Sequence, residues 1–271
     1  MPRNELVQLA AQVLRAQDEG VALAPFSSSG PALSISEAYE VSWLVHQRRL
    51  AAGWRPVGRK IGFTNRDMWT LFGVDQPVWS FVYDTTCQQV DGPATVALGP
   101  LFQSRIEPEI AVCLRRVPRV GADAGEVLDC IEWIAHSIEM VQCHYPDWKF
   151  QSTDAICDAS FHGRLLLGPR RHVPPGDRGL ESMLRDCAVS LFQDDRLVEV
   201  GYGRNVLGSP LAAVASLVEA IEREGGNHPL APGEIITTGT MTKAYPVKAG
   251  ERWRTAFGGD EFAGVVVEFA G

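Results

Sequence analysis

Arg105-Ile-Glu-Pro-Glu-Ile-Ala-Val-Cys-Leu114 is an apolar, β-branched run with two acids set inside it. Such a run predicts a strand, and strand interiors are depleted in charge, so the acids need a reason. Side chains alternate faces at ~3.3 Å per residue, which puts Glu107 and Glu109 on one face with Cα atoms roughly 6.6 Å apart. Ile106, Ile110, Val112 and Leu114 point the other way. Two like charges on one face repel unless a shared proton, a cationic side chain or a divalent cation lies between them. A divalent cation is the favoured reading; a solvated sheet face with Arg105 as partner is the alternative.

Two further stretches bear on that choice. Ser137-Ile-Glu-Met-Val-Gln-Cys143 is a second strand pattern with a lone acid, Glu139, among apolar neighbours. Glutamate is almost never buried unpaired, so Glu139 either joins a charged cluster or bonds a backbone turn. Val57-Gly-Arg-Lys-Ile-Gly-Phe-Thr-Asn65 reads as a strand running into a turn, with Lys60 between glycines that let a backbone or ligand approach closely. Lys60 is either a surface lysine or part of a site.

The 271 residues carry a net charge of −8, with 45% hydrophobic and 21% charged residues, ordinary values for a globular protein. The acidic balance argues against nucleic acid or an anionic membrane as partner. The first residues lack the basic-then-apolar order of a secretory signal, and no run of 18 apolar residues occurs, so a cytoplasmic location is expected. Six cysteines without C-x-x-C spacing read as reduced core residues.

Apolar spacing predicts a helix over Asn4 to Ala16, and the S-x-x-E box Ser34-Ile-Ser-Glu37 opens another through about Leu50. Residues 1–56 are thus expected to form an N-terminal helical extension and 57–271 a mixed-β catalytic domain. A short helix is expected between Asn65 and Leu71, and Gly73 to Ser80 reads as a loop over the site. Asp123-Ala-Gly-Glu126 repeats the capping pattern and predicts a helix from Val127 to about Ala135. Residues 169–185 are rich in proline, glycine and arginine and look exposed. Ala188–Phe192 and Leu197–Val200 resemble a hairpin, and Ser209-Pro210 caps a helix running to Glu224. Four short strands close the chain. Few helices among many strands indicate a mixed, largely β core, and the absence of a glycine-rich phosphate loop disfavours nucleotide cofactors.

Taken in order, Gly58-Arg-Lys-Ile-Gly-Phe-Thr64, Gly73-Val-Asp-Gln-Pro77, Ile106-Glu-Pro-Glu-Ile110, Glu139-Met-Val141, Asp147-Trp-Lys-Phe150, Asn205-Val-Leu-Gly-Ser-Pro-Leu211 and Thr237-Thr-Gly-Thr240 span nearly the whole chain. This series resembles the 2-keto-4-pentenoate hydratase and 4-oxalocrotonate decarboxylase branch of the fumarylacetoacetate hydrolase superfamily. The resemblance implies an α+β fold, a mixed β-sandwich or roll with flanking helices, commonly in a homo-oligomer. It makes Glu107, Glu109 and Glu139 ligands of one Mg²⁺ or Mn²⁺, puts Lys60 on the family's active-site lysine, and places Thr64 and Thr240 in segments that touch substrate. The implied reaction is addition of water to a 2-hydroxy-2,4-dienoate or 2-oxo-alkenoate in the catabolism of aromatic or related compounds. Decarboxylation of a 4-oxalocrotonate-like 2-oxo-dioate, in complex with a pathway partner enzyme, and C–C hydrolysis of an acylpyruvate are the alternatives, with a catalytically silent subunit as the non-enzymatic one.

Departures from the pattern are informative. Many of the resembling hydratases carry an acid after the proline of Gly-Val-x-x-Pro, where this chain has Val78. Asp84, shortly after that loop, is the candidate replacement. The family's Asp-Asn-x-Ser-Ser loop is altered to Asp158-Ala-Ser-Phe-His-Gly163, which makes His162 a candidate catalytic side chain. Hydrolases of the superfamily use a His/Glu pair upstream, for which His46 alone is weak support.

Overall fold

The strand at Arg105–Leu114 lies inside a curled, half-barrel sheet. A computed structural model describes residues 1–28, 33–66, 69–72, 74, 76–260 and 262–271. In chain order its elements are α1 (Arg3–Glu19), α2 (Ile35–Ala51), β1 (Pro56–Gly62), α3 (Trp69–Phe72), β2 (Val78–Tyr83), β3 (Cys87–Gln89), β4 (Ala94–Ala97), β5 (Arg105–Leu114), α4 (Ala124–Asp129) and β6 (Ile131–Val141). They continue with α5 (Ser152–Cys157), β7 (His162–His172), α6 (Gly179–Asp186), β8 (Ala188–Gln193), β9 (Arg196–Tyr202), α7 (Pro210–Arg223), β10 (Ile235–Thr237), β11 (Tyr245–Pro246), β12 (Arg252–Phe257) and β13 (Val266–Ala270).

The curled sheet has the order β2-β1-β10-β5-β6-β7-β3, with β11 also on β5; the second sheet runs β4-β13-β12-β8-β9. β1 and β10 are parallel, whereas β10, β5, β6 and β7 are successively antiparallel. This is a mixed α+β architecture of two sheets with flanking helices, as the alternation of short strands implies.

The two faces of β5 have different fates. Ile110, Val112 and Leu114 pack with Leu211, Val214 and Leu217 of α7, while Ile106 joins Trp253, Val267 and Phe269 of the second sheet. Each fully buried aliphatic side chain contributes about 1.5–3 kcal/mol. On the opposite face Ala111 and Cys113 lie with Trp133, Ala135, Leu165 and Leu167 inside the curl. Glu107 and Glu109 continue that inner row, so the alternation read from sequence puts both acids inside the half-barrel. α1 and α2 cover the sheet near its open end, where Leu6, Val13, Val41 and Val45 share a core with Val78, Val141 and Phe161.

Both capping boxes form: Ser34 with Glu37 at α2, and Asp123 with Glu126 at α4. Pro210 stands at the first turn of α7 behind Ser209. The stretch Gly203–Arg223 is apolar and long enough to cross a membrane by composition, yet half of it is buried in this fold as the helix against the curled sheet.

Some local expectations fail where long-range pairing decides. The helix begun at Asp123 stops at Asp129, and Ile131–Ala135 belong to β6, laddered to Leu114, Cys113, Val112 and Ala111 of β5. Residues 169–185 are mostly exposed, as expected, yet they carry regular structure: β7 runs on to His172, and Leu180 and Leu184 anchor the helix α6 in the core. Of the helix expected at 65–71, Trp69–Phe72 is helical and residues 67–68 lie outside the described residues, as do Gly73 and Asp75 of the expected loop.

His136 shows how burial tunes this core. Its Nδ1 lies 3.0 Å from the Glu109 carbonyl and its Nε2 2.8 Å from Thr255 Oγ1, and burial pushes its pKa down to about 4, outweighing the Glu109 bond. A histidine held neutral stabilises the fold above its unfolded value near 6.5, and that contribution is lost as pH falls through about 4. The stability difference between wild type and His136→Gln, from urea unfolding, should therefore shrink by about 2 kcal/mol between pH 7.5 and pH 4.5. A difference independent of pH would contradict the assignment.

Candidate active site

β5 and β6 pair so that Glu107 stands directly opposite Glu139, and Glu109 opposite Ser137. The strands thereby bring together acids 32 positions apart: one carboxylate oxygen from each of Glu107, Glu109 and Glu139 lies within 4.8 Å of the others. β10 fits between β1 and β5, with Thr237 beside Lys60 on one side and Ala111 on the other. That close approach explains Gly58, because a Cβ there would sit 1.9 Å from the Ile235 carbonyl oxygen.

Lys60 Nζ is 3.2 Å from Glu139 Oε2, and His162 Nδ1 is 2.7 Å from Glu139 Oε1. The other imidazole nitrogen lies 2.8 Å from Thr86 Oγ1, which donates to the Tyr83 carbonyl. Glu109 Oε2 accepts from the Thr237 hydroxyl and, at 2.9 Å, from the Gly239 amide. Gly239 has φ +102°, and a Cβ on it would strike Thr64 Oγ1, so only glycine presents that amide. Lys60 is 3% exposed; Glu109 and Glu139 are fully buried.

Crowding sets the charges. Burial, with Glu139 beside it, pushes Glu107 up to about 7 against the pull of Lys60 and Arg105. Burial and both neighbouring carboxylates hold Glu109 well above the usual range. For Glu139 the burial penalty is outweighed by Lys60 and His162, and its carboxyl falls below its ordinary value. Burial would lower Lys60, but Glu139, Glu107 and Glu109 together raise it.

Several buried atoms here lack partners. Among the described residues, Glu109 Oε1, Thr64 Oγ1 and Ser160 Oγ have no hydrogen-bond partner, and Glu139 Oε2 faces the Lys60 ammonium as an ion pair without an aligned hydrogen bond. Buried polar atoms are normally satisfied, so these mark where a ligand belongs. Three ionised carboxylates against one ammonium leave two negative charges, which a divalent cation balances, and an all-oxygen donor set suits Mg²⁺, Mn²⁺ or Ca²⁺. The residues present fit such an ion.

Above the cluster opens a cavity of about 400 Å³. Phe63, Trp148, Phe150 and Phe161 supply aromatic wall; Arg105 and Lys243 supply positive charge, and neither forms an ion pair among the described residues. Arg105 lies over Trp148 with its guanidinium carbon 4.1 Å from the ring centroid. Ala159, Ser160 and Phe161 all adopt positive φ, a strained turn that brings Ser160 and Phe161 to the cavity.

Of the residues singled out from sequence, Lys60, Thr64, Thr240, Glu107 and Glu109 line this cavity, and Glu139 completes the acid cluster. The Thr240 hydroxyl is engaged with the Thr242 carbonyl, whereas that of Thr64 is free. His162 sits behind Glu139. Asp84 is a correction: its carboxylate bonds the Arg55 guanidinium at 2.8 Å and the Arg55 amide at 3.0 Å, outside the cavity, because it anchors the end of β2 to the turn before β1. His46 is likewise remote, stacked on Phe81 and bonded to Tyr83. Val78 is buried beside Gly62, so no carboxylate replaces the hydratase acid at that point. Ser160 and the supporting Thr86 carried no sequence signal. Thr237 lay in a motif whose purpose, tethering Glu109, only the pairing of β10 with β5 reveals.

Residues 79–264 match the family described as fumarylacetoacetate (FAA) hydrolase C-terminal. The chain belongs to the fumarylacetoacetate hydrolase superfamily. Within this superfamily it falls in the hydratase and decarboxylase branch. It is 31% identical over 254 residues to 2-keto-4-pentenoate hydratase 2 of Dechloromonas aromatica, covering 93% of this chain and 94% of that protein. It is 29% identical over 232 residues to 2-hydroxyhexa-2,4-dienoate hydratase of Comamonas testosteroni, covering 85% of each. Among solved structures, 4-oxalocrotonate decarboxylase from Pseudomonas putida G7, complexed with magnesium and adipate, aligns with a TM-score of 0.88 at 28% identity, over 99% of this chain and 98% of that one. Full-length similarity to superfamily members accounts for the fold, and the acid cluster gives this member the donors for an ion.

Proposed function

We propose that this chain is a divalent-cation-dependent lyase that decarboxylates a 2-oxo acid bearing a second, distal carboxylate. The charge layout of the cavity carries the reading. Glu107, Glu109 and Lys60 line its floor with Glu139 beside them, Arg105 and Lys243 are its positive wall, and a valine occupies the position of the hydratase acid. The one other carboxylate lining it among the described residues, Asp147, is exposed and 3.4 Å from Lys149. Outside the acid cluster, no described carboxylate of the cavity is therefore set to activate water, whereas loss of CO₂ needs no such base.

Glu107, Glu109 and Glu139 would hold Mg²⁺ or Mn²⁺, which when bound supplies Lewis-acid withdrawal of electrons from a 2-oxo group. Arg105 and Lys243 attract the dioate and select for its second carboxylate. The aromatic wall excludes water from the reacting carbons. In a 2-oxo-3-hexenedioate, breakage of the C5–C6 bond releases the distal carboxylate as CO₂ and leaves an electron pair delocalised through the 3,4-alkene toward the 2-oxygen. Lys60 holds a proton at Nζ for the resulting anion, and the unpartnered hydroxyls of Thr64 and Ser160 are donors that orient the substrate.

Hydration of a 2-hydroxy-2,4-dienoate is the second reading, supported by the 29–31% identity to proteins named as hydratases. A 2-oxo-3-hexenedioate and, in a separate assay, a 2-hydroxy-2,4-dienoate, each supplied with Mg²⁺, separate the two. Release of CO₂ with a dienol product is expected. Absence of CO₂, together with metal-dependent decay of dienoate absorbance to a 4-hydroxy-2-oxo acid, would replace decarboxylation by hydration. In the same assay Arg105→Gln should raise KM for the dioate about tenfold, the size of one lost charged hydrogen bond, with kcat little changed.

A further inference from the structure

We propose that a second cavity, backing onto His162, binds a small trigonal oxyanion, either an organic carboxylate or bicarbonate. This cavity measures about 260 Å³ and lies where the ends of α1 and α2 meet β2 and the start of β7. His162 forms part of its wall, turning Nδ1 to Glu139 and Nε2 to Thr86, which also lines the cavity. The imidazole thus stands between this space and the acid cluster.

Arg164 supplies the reason for an anion. It lines the cavity, its Nε is enclosed without a hydrogen-bond partner, and it forms no ion pair among the described residues. The other guanidinium there, on Arg49, is already engaged: Nη1 lies 2.5 Å from Asp18, Nη2 bonds Gln17 at 3.1 Å, and the group stacks on Trp54. Arg49 and Asp18 cancel, and the charge of Arg164 remains. A guanidinium on the cavity wall with no carboxylate partner among the described residues matches a planar carboxylate or bicarbonate, which offers two oxygens in the spacing of its fork. Phe81 and Leu101 add apolar wall suited to a short hydrocarbon tail. Neither the acid cluster nor its ion is required for this binding.

The test uses the full-length protein with chelator present and Arg105→Gln as background, so that neither a cation nor the positive wall of the front cavity holds the anion. Binding of ¹³C-acetate and, separately, ¹³C-bicarbonate is followed by NMR line broadening. One equivalent of anion should bind, about tenfold more weakly in Arg164→Gln, partly restored in Arg164→Lys and unchanged in Lys60→Met. Tighter acetate identifies an organic acid as the occupant; tighter bicarbonate identifies inorganic carbon. No binding of either anion, or binding that survives Arg164→Gln or disappears in Lys60→Met, would overturn the proposal. Thermal melts of the Arg164 variants check that they fold, and Arg164→Lys provides the comparison if the glutamine variant does not.

Discussion

Lys60→Met should lose about a thousandfold or more in kcat while still binding a divalent cation. Lys60 is buried, its ammonium is 3.2 Å from Glu139 Oε2, and the carboxylates around it keep it protonated. Among the described residues it is the cationic group paired with the acid cluster; Arg105 and Lys243 also line the cavity. Positioned proton transfer contributes about 10²–10⁴ in rate, and loss of the compensating charge beside a developing anion adds to that. Methionine preserves the length and apolar stem of lysine, so the strand β1 and its pairing with β10 are retained. Steady-state kinetics with 2-oxo-3-hexenedioate and Mn²⁺ binding by electron paramagnetic resonance measure the two effects separately. Turnover within tenfold of wild type would remove Lys60 from the chemistry.

Removal of the cation should expose a pH dependence that the acid cluster imposes on stability. Glu107 rises to about 7 and Glu109 higher still, both above their ordinary value of 4.5. A carboxyl raised on folding stabilises the protein fully below its unfolded pKa, and the contribution is lost as pH climbs through the folded value. Cation-free protein should therefore weaken between pH 4.5 and pH 8 in this respect. Adding Mg²⁺ or Mn²⁺ should remove that slope, give about 2.7 kcal/mol at a hundred times Kd, and expel about one to two protons near pH 7. Melting with and without metal, and proton release in weakly buffered solution, check both statements. Glu109→Gln should abolish them, because it removes the one carboxylate held on two sides by β10 and the loop after it. An unaltered response in that variant would mean that the ion binds elsewhere.

The part of this site that rests on local periodicity is legible in the amino-acid sequence. Alternation along β5 puts Glu107 and Glu109 on one face, and glycines around Lys60 mark a close backbone approach. Membership of Glu139 does not follow from periodicity, because its place opposite Glu107 depends on the register of two strands joined by a helix; only the resemblance supplies it. The same non-local pairing explains why Ile131–Ala135, a plausible continuation of a capped helix, is strand. Asp84 is close to the site in sequence, and a salt bridge to Arg55 takes it elsewhere. Ser160 carries no local signal, since its orientation follows from three successive left-handed residues with no glycine among them.

The charged floor of the cavity comes from paired strands, with Lys60 on β1 and the acids on β5 and β6, while much of its wall comes from connecting segments around residues 63–65, 147–150, 160–161 and 239–244. Those segments can be exchanged, lengthened or recoloured by mutation without disturbing the ladder that gathers the acids. Descendants of such a scaffold can change diet while keeping one inherited reagent, and a designer wishing to retarget it should vary the connections first.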